Sequence, residues 1–177
     1  MANMMLDIET FGTSVDAVIV QIGAAYFNRG TGEVGETFKA NIDANSCVEE
    51  GFTIDADTVY WWMHQRREAM ESIMKPPLVV IRSGLSYFNE FAKKADKVWC
   101  HATFDFPLIM NYMKKLKIYP NFRYTAARDI RTLTDLGKHD WEKHERKDTH
   151  HDALADCLFQ IKYCMDCINY INRGRKG

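Results

Sequence analysis

Short runs of apolar residues open the chain, and helical spacing takes over further along. Met4–Ile8 is apolar and ends in carboxylates, which predicts a strand. Val18–Phe27 is a β-rich run, the turn residues Asn28-Arg29-Gly30-Thr31-Gly32 reverse it, and Glu33–Asn41 alternates, so the two form a hairpin. Asp55–Met74 and Ser83–Lys94 carry helical spacing on either side of Pro76-Pro77. Val98–Thr103 reads as another buried strand, and Pro107 suits the first turn of a helix over Leu108–Leu116. Phe122–Asp129 completes the strands. The polar stretch from Gly137 to Asp148 reads as a mobile loop, and Thr149-x-x-Asp152 is a capping-box variant that starts a final helix to about Asn172. This order predicts an α/β fold with a mixed five-stranded sheet flanked by helices. Ligands of such sheets gather at the strand ends. Asp7 and Glu9 close the first strand, and Asp105 closes the fourth.

Composition agrees with a packed chain. With 177 residues, 46% hydrophobic and 12% aromatic, a full core can form, and a single domain over 1–177 is expected. The net charge of −1 offers no global basic field, so a nucleic-acid partner would have to be held by local features. That argues against a coating protein and not against an enzyme. No run approaches the ~20 apolar residues of a membrane span, and no signal-peptide form is present. The first strand is expected to begin almost at once, so no removable leader is expected. Five cysteines fit a reducing compartment better than a disulfide framework, so the expected location is cytoplasmic. Cys164 and Cys167 form a CxxC, yet no partner pair stands at zinc-ligand spacing, and small apolar helix residues explain them better.

The chemistry lies in the acids. Asp7-Ile8-Glu9 puts two carboxylates on one face of an extended chain. Side by side they repel unless a divalent cation lies between them. The motif alone decides little, since 14 Asp and 10 Glu in 177 residues give about 0.8 chance Asp-x-Glu pairs. A second pair does occur, at Asp140-Trp141-Glu142 in the polar loop, where solvation explains it. The pair at Asp7 follows a buried strand, where solvation does not. Asp105 stands between Phe104 and Phe106, costly for a charge unless partnered, although a helix cap is an ordinary role for such an Asp. His151 and Asp156 form His-x4-Asp on the last helix. There Leu154, Cys157, Leu158, Ile161, Met165 and Ile168 make one apolar stripe, and Asp156 lies on a second with Phe159, Tyr163, Cys167 and Tyr170.

Together these residues resemble the DEDD superfamily of 3′→5′ exonucleases. The matching text is Asp7-Ile8-Glu9-Thr10, Thr103-Phe104-Asp105 and His151-Asp152-Ala153-Leu154-Ala155-Asp156. His151, five positions before the last Asp, marks the DEDDh pattern. Asp57-Thr58-Val59-Tyr60-Trp61-Trp62, Gln65 and Arg128-Asp129-Ile130-Arg131-Thr132 extend the likeness to a small bacterial and phage exonuclease family of the exonuclease A type. One departure stands at His101, near the start of the second motif, where many relatives carry Asn.

The resemblance implies an RNase H-like fold and two divalent ions, Mg²⁺ or Mn²⁺. Asp7, Glu9 and Asp156 would hold one ion, with Asp7 bridging to a second site that Asp105 completes. Neutral His151, with a reference pKa of about 6.5, would act as general base. The implied activity is release of nucleoside monophosphates from the 3′ end of single-stranded nucleic acid, RNA slightly ahead of DNA. Thr10 and Phe11 would receive the terminal sugar, while Phe11, Phe104 and one of Trp61 and Trp62 stack on bases, Trp62 being the choice. A homodimer is expected by analogy, and no membrane partner. The rivals are a related metal-dependent endonuclease lacking the histidine base, a single-stranded DNA exonuclease, and a catalytically silent binding module on the same fold.

Overall fold

A computed structural model describes residues 1–138 and 150–174. The loop expected from Gly137 to Asp148 falls largely outside the described residues, as do Thr149 of the capping box and the end of the basic tail. The strands are β1 (Asn3–Thr10), β2 (Ile19–Phe27), β3 (Val34–Ile42), β4 (Leu78–Val79), β5 (Lys97–Cys100) and β6 (Ala127–Asp129). The helices are α1 (Ala44–Glu49), α2 (Ala56–Met63), α3 (Arg67–Met74), α4 (Ile81–Phe91), α5 (Asp105–Lys115), α6 (Ile130–Leu136) and α7 (Ala153–Gly174). The strands form one mixed sheet of six in the order β4-β3-β2-β1-β5-β6. β1, β2 and β3 pair antiparallel, whereas β5, β6 and β4 join in parallel. The sheet therefore has six strands and not the expected five. The sixth, Leu78–Val79, is too short for any alternation to announce it, and it is recruited by pairing with Asn41 and Ile42.

Alternation along β1 divides the molecule. Met4, Leu6 and Ile8 point into the larger core with Ile22, Leu85, Phe88, Leu108 and Tyr112. Met5 points to the other face and packs with Trp99, Cys157, Ile161 and Cys164 under α7. Asp7 and Glu9 share the parity of Met5, so they face α7. All five cysteines are buried free thiols, and the CxxC is core of α7, as its apolar stripe indicates.

Two expected elements are reshaped, and one helix is new. Asp55–Met74 is two helices broken at His64–Arg66; the buried Trp62, Ala69 and Ile73 keep helical spacing across the break, so periodicity hides it. Phe122–Asp129 is a strand only from Ala127, preceded by a 3-10 turn at Tyr124–Ala126. Phe122 is apolar because it packs on Phe88 and Phe106, at ring-centroid distances of 6.1 and 5.9 Å. α6 went unpredicted, although Asp129 caps it by accepting from the Thr132 amide at 2.8 Å.

Candidate active site

The register of β1 against β2 sets up the site. Asp7 lies opposite Gly23 and Glu9 opposite Gln21, and the ladder bulges between Glu9 and Thr10. These four residues thus share the face that receives α7. A Cβ on Gly23 would lie 2.3 Å from the Ala153 carbonyl carbon and 2.5 Å from the Leu154 amide nitrogen. Only a glycine there lets the first turn of α7 sit on the sheet. Beside it, the Gln21 side chain accepts the Ala153 amide at 2.6 Å. One turn along, Asp156 reaches Glu9, and further on Gln160 donates to Asp7 Oδ1 at 2.8 Å.

Asp105 does not close a strand as expected: β5 ends at Cys100, and Asp105 is the first residue of α5. After β5 the chain turns tightly, with His101 O accepting from the amides of Phe104 (2.8 Å) and Asp105 (3.0 Å). The Asp105 carboxylate accepts the His101 amide at 2.7 Å and also meets the Ile8 amide, tying it to β1. The Phe104–Asp105 junction therefore starts α5, and Asp105 is only 1% exposed.

Two groups of ligand-type atoms result, Asp7 with Glu9 and Asp156, and Asp7 with His101 and Asp105. Within each, the atoms lie within 4.8 Å of one another. Asp7 belongs to both. The four expected carboxylates are thus brought together, with Asp7 between the others.

The electrostatics of the set are unfavourable without a cation. Burial, then the charges of Asp105, Glu9 and Asp156, pushes the Asp7 carboxyl well above its ordinary range. Burial and Asp156 do the same to Glu9. Asp105 rises to about 7, driven by burial and partly offset by the His101 amide and the Arg131 charge. Among the described residues no lysine or arginine forms an ion pair with Asp7 or Glu9. Buried, mutually repelling carboxylates with no cationic side chain on two of them fit a divalent ion as their missing partner. Gln160 Oε1, buried beside Asp7, has no hydrogen-bond partner among the described residues, a second polar atom at this point without a match.

His151 stands just before α7 with φ of 60°, a left-handed conformation unusual for a non-glycine residue. Its ring lies edge-on to Trp61 at 4.8 Å and to Trp62 at 5.8 Å. One of the two indoles packs in the core, as expected, but it is Trp62, the one chosen for stacking, and both rings meet His151. They differ in exposure. Trp62 is 3% exposed and donates to the Thr10 carbonyl at 2.9 Å, whereas Trp61 is 45% exposed. Phe11 is half-buried against Trp62 at 6.5 Å. Its amide donates to Val18 O at 2.8 Å and its carbonyl accepts the Asp55 amide at 2.7 Å. Thr10 is buried, with its hydroxyl on Gly12 O at 2.6 Å. Phe104 is half-buried at the head of α5.

Sequence reasoning missed some neighbours. His101 was noticed only as a departure, although its place four residues before Asp105 is the helical spacing of contacting side chains. Burial, and after it the Arg131 charge, lowers its pKa to about 4. Gln160 is four residues beyond Asp156, the same signal one turn further. Asp152 pairs with Lys39 and Ser72 and caps α7 at the Ala155 amide, 3.1 Å away. No local pattern links Asp152 to β3 and α3.

Comparison with known proteins gives the family and the fold. The profile of the 3′-5′ exoribonuclease Rv2179c-like domain matches residues 2–168, while no curated protein matches by sequence. Among solved structures, the nuclease domain of 3′hExo, a DEDDh family member bound to rAMP, aligns at 11% identity and TM-score 0.60, covering 98% of this chain and 92% of that one. E. coli exonuclease I in complex with a 5cy-dA13 oligonucleotide aligns at 13% identity and TM-score 0.65, over 99% of this chain but only 42% of its own. Cell-death related nuclease 4 follows at 12% identity and TM-score 0.56, over 98% and 64%. The chain belongs to the Rv2179c-like 3′-5′ exoribonuclease domain family, on the fold of the DEDDh 3′→5′ exonucleases, and is a hydrolytic 3′-5′ exonuclease.

Proposed function

We propose that this enzyme is a two-metal exonuclease that releases nucleoside monophosphates from the 3′ end of single-stranded nucleic acid, with RNA slightly preferred. The observation that carries the reading is the sharing of Asp7 between two groups of metal-ligand atoms. Asp7, Glu9 and Asp156 would hold one ion, and Asp7 and Asp105 the second. Bound there, Mg²⁺ or Mn²⁺ supplies charge neutralisation at the scissile phosphate and lowers the pKa of the attacking water.

The chain's own residues supply the rest. His151 is the general base that takes the proton of that water, its ring steered by Trp61 and Trp62. Trp62 is committed to Thr10 and His151, so its contribution to substrate is to hold the wall on which the terminal nucleotide rests. The exposed Trp61, with Phe11 and Phe104, offers ring surface for stacking, worth ~1–3 kcal/mol per base. Thr10 and Phe11 shape the sugar site, their backbone held rigid by Trp62, Val18 and Asp55. Asp152, gripped by Lys39 and Ser72, fixes the start of α7 beside His151. RNA is placed ahead of DNA because the family profile is that of exoribonucleases. The enzyme is expected to work as a single domain in the cytoplasm, without a membrane partner. Among the described residues no helix is long and apolar enough to cross a membrane.

The test offers 5′-labelled single-stranded RNA and DNA with Mn²⁺. A descending ladder is expected, faster on RNA, with resistance in closed circles and 3′-phosphate ends. Equal or faster decay of DNA would make this a DNA exonuclease, and cleavage of a circle would indicate an endonuclease.

A further inference from the structure

The group formed by Asp7, His101 and Asp105 contains a nitrogen donor that the carboxylate scheme leaves out. His101 is placed by the backbone. Its carbonyl accepts the amides of Phe104 and Asp105, and its own amide donates to Asp105 Oδ2 at 2.7 Å. This turn brings the imidazole to the same side as the carboxylate, with Nδ1 3.7 Å from Asp105 Oδ2. The ring is half-buried, and its ligand atom, like that of Asp105, lies within 4.8 Å of Asp7. A spacing under 4.8 Å suits ligands on one small ion after slight closure, because each would sit ~2.0–2.2 Å from it.

We infer that His101 is a direct ligand of the second ion, so that this site has an Asp7–His101–Asp105 donor set and prefers Mn²⁺ to Mg²⁺. The inference rests on the two-metal reading above and sharpens its second site. An all-oxygen site suits the hard Mg²⁺, which keeps its waters and accepts imidazole reluctantly. One nitrogen donor shifts preference toward first-row transition ions. His151, which meets Trp61 and Trp62, belongs to neither ligand group among the described residues and keeps the proposed role of base.

The test reads the metal and not turnover. The full chain is loaded with two equivalents of Mn²⁺ and examined by pulsed electron paramagnetic resonance for ¹⁴N modulation. Mn²⁺ and Mg²⁺ affinities are measured by calorimetry on the wild type, His101→Asn and His151→Ala. Nitrogen coupling is expected in the wild type and in His151→Ala and is expected to vanish in His101→Asn. The asparagine variant should still bind two ions, with the Mn²⁺ over Mg²⁺ preference at one site reduced at least about tenfold. Two bound Mn²⁺ ions without nitrogen coupling would overturn the role of His101 and leave the two-metal reading standing. Coupling that persists in His101→Asn and disappears in His151→Ala would assign the nitrogen to His151 instead. A wild type that binds no Mn²⁺ would overturn both readings at once.

Discussion

Replacing Asp105 by Asn probes the electrostatics of the site without chemistry. Asn keeps an oxygen to accept the His101 amide, now bonded at 2.7 Å, so the turn into α5 should survive. What disappears is the ability to ionise. In the metal-free wild type, burial raises the Asp105 carboxyl from its usual range near 3.8 to about 7. A folded-state pKa above the unfolded one means that the folded chain holds the proton more tightly. The associated stability is complete below about pH 4 and is lost as pH rises through about 7. A rise of about three units corresponds to roughly 4 kcal/mol, of which about half, ~2 kcal/mol, falls between pH 5.5 and 8. Asp7 adds to the slope in the same sense, and because Asp105 is the largest charge acting on it, the substitution eases Asp7 too. Urea denaturation in EDTA at the two pH values should show the wild type losing about 2 kcal/mol more than Asp105→Asn. Adding Mn²⁺ at a hundred times its Kd at pH 8 should restore ~2.7 kcal/mol to the wild type, and less to the variant. Equal pH slopes for the two proteins in EDTA would show that Asp105 holds no buried proton, and the cation-seeking reading of the cluster would fail with it.

Three further outcomes are expected. EDTA should abolish activity and Mg²⁺ or Mn²⁺, but not Ca²⁺ alone, should restore it; full turnover in excess chelator would remove the metals from the reaction. His151→Ala should lower the rate roughly 10²–10⁴-fold while calorimetry still finds two bound ions, and loss of an ion would turn His151 into a ligand. Gly23→Ala should destabilise by about 1–3 kcal/mol, because its Cβ meets α7 backbone that cannot swing away. An unchanged denaturation midpoint would mean that α7 docks elsewhere.

Much of the site was legible because β1 obeys strict alternation. A buried strand whose last residues are acidic on one face calls for a compensating partner, and Asp7 and Glu9 stand out for that reason. Asp156 was visible through helical spacing on α7, and His151, which the structure places just before that helix, through its His-x4-Asp spacing. The remainder depends on contacts between distant segments. β4 exists only because Asn41 and Ile42 offer it an edge. The break between α2 and α3 leaves no trace in the spacing of buried residues. Gln21, Asn41 and Ser72 form a hydrogen-bonded cluster across β2, β3 and α3, and their ordinary polar identities carry no hint of it.

The fold also shows why, on the proposed reading, catalytic and structural demands coincide at one end of the sheet. α7 can reach the sheet only where a side chain is missing, and that place is Gly23, directly across from Asp7. Docking there delivers Asp156 to Glu9 and Gln160 to Asp7, and it sets His151 at the helix entrance against the tryptophans of α2. The same contact covers Met5, Cys157 and Ile161 with a second core, whose burial offsets the cost of gathering like charges beside it. Moving the carboxylates two residues along β1 would take them out of reach of α7, and moving the glycine would lift the helix off them. The chemistry is therefore tied to the register of β1 against β2, which places the acids and the gap that admits their partner helix in one row.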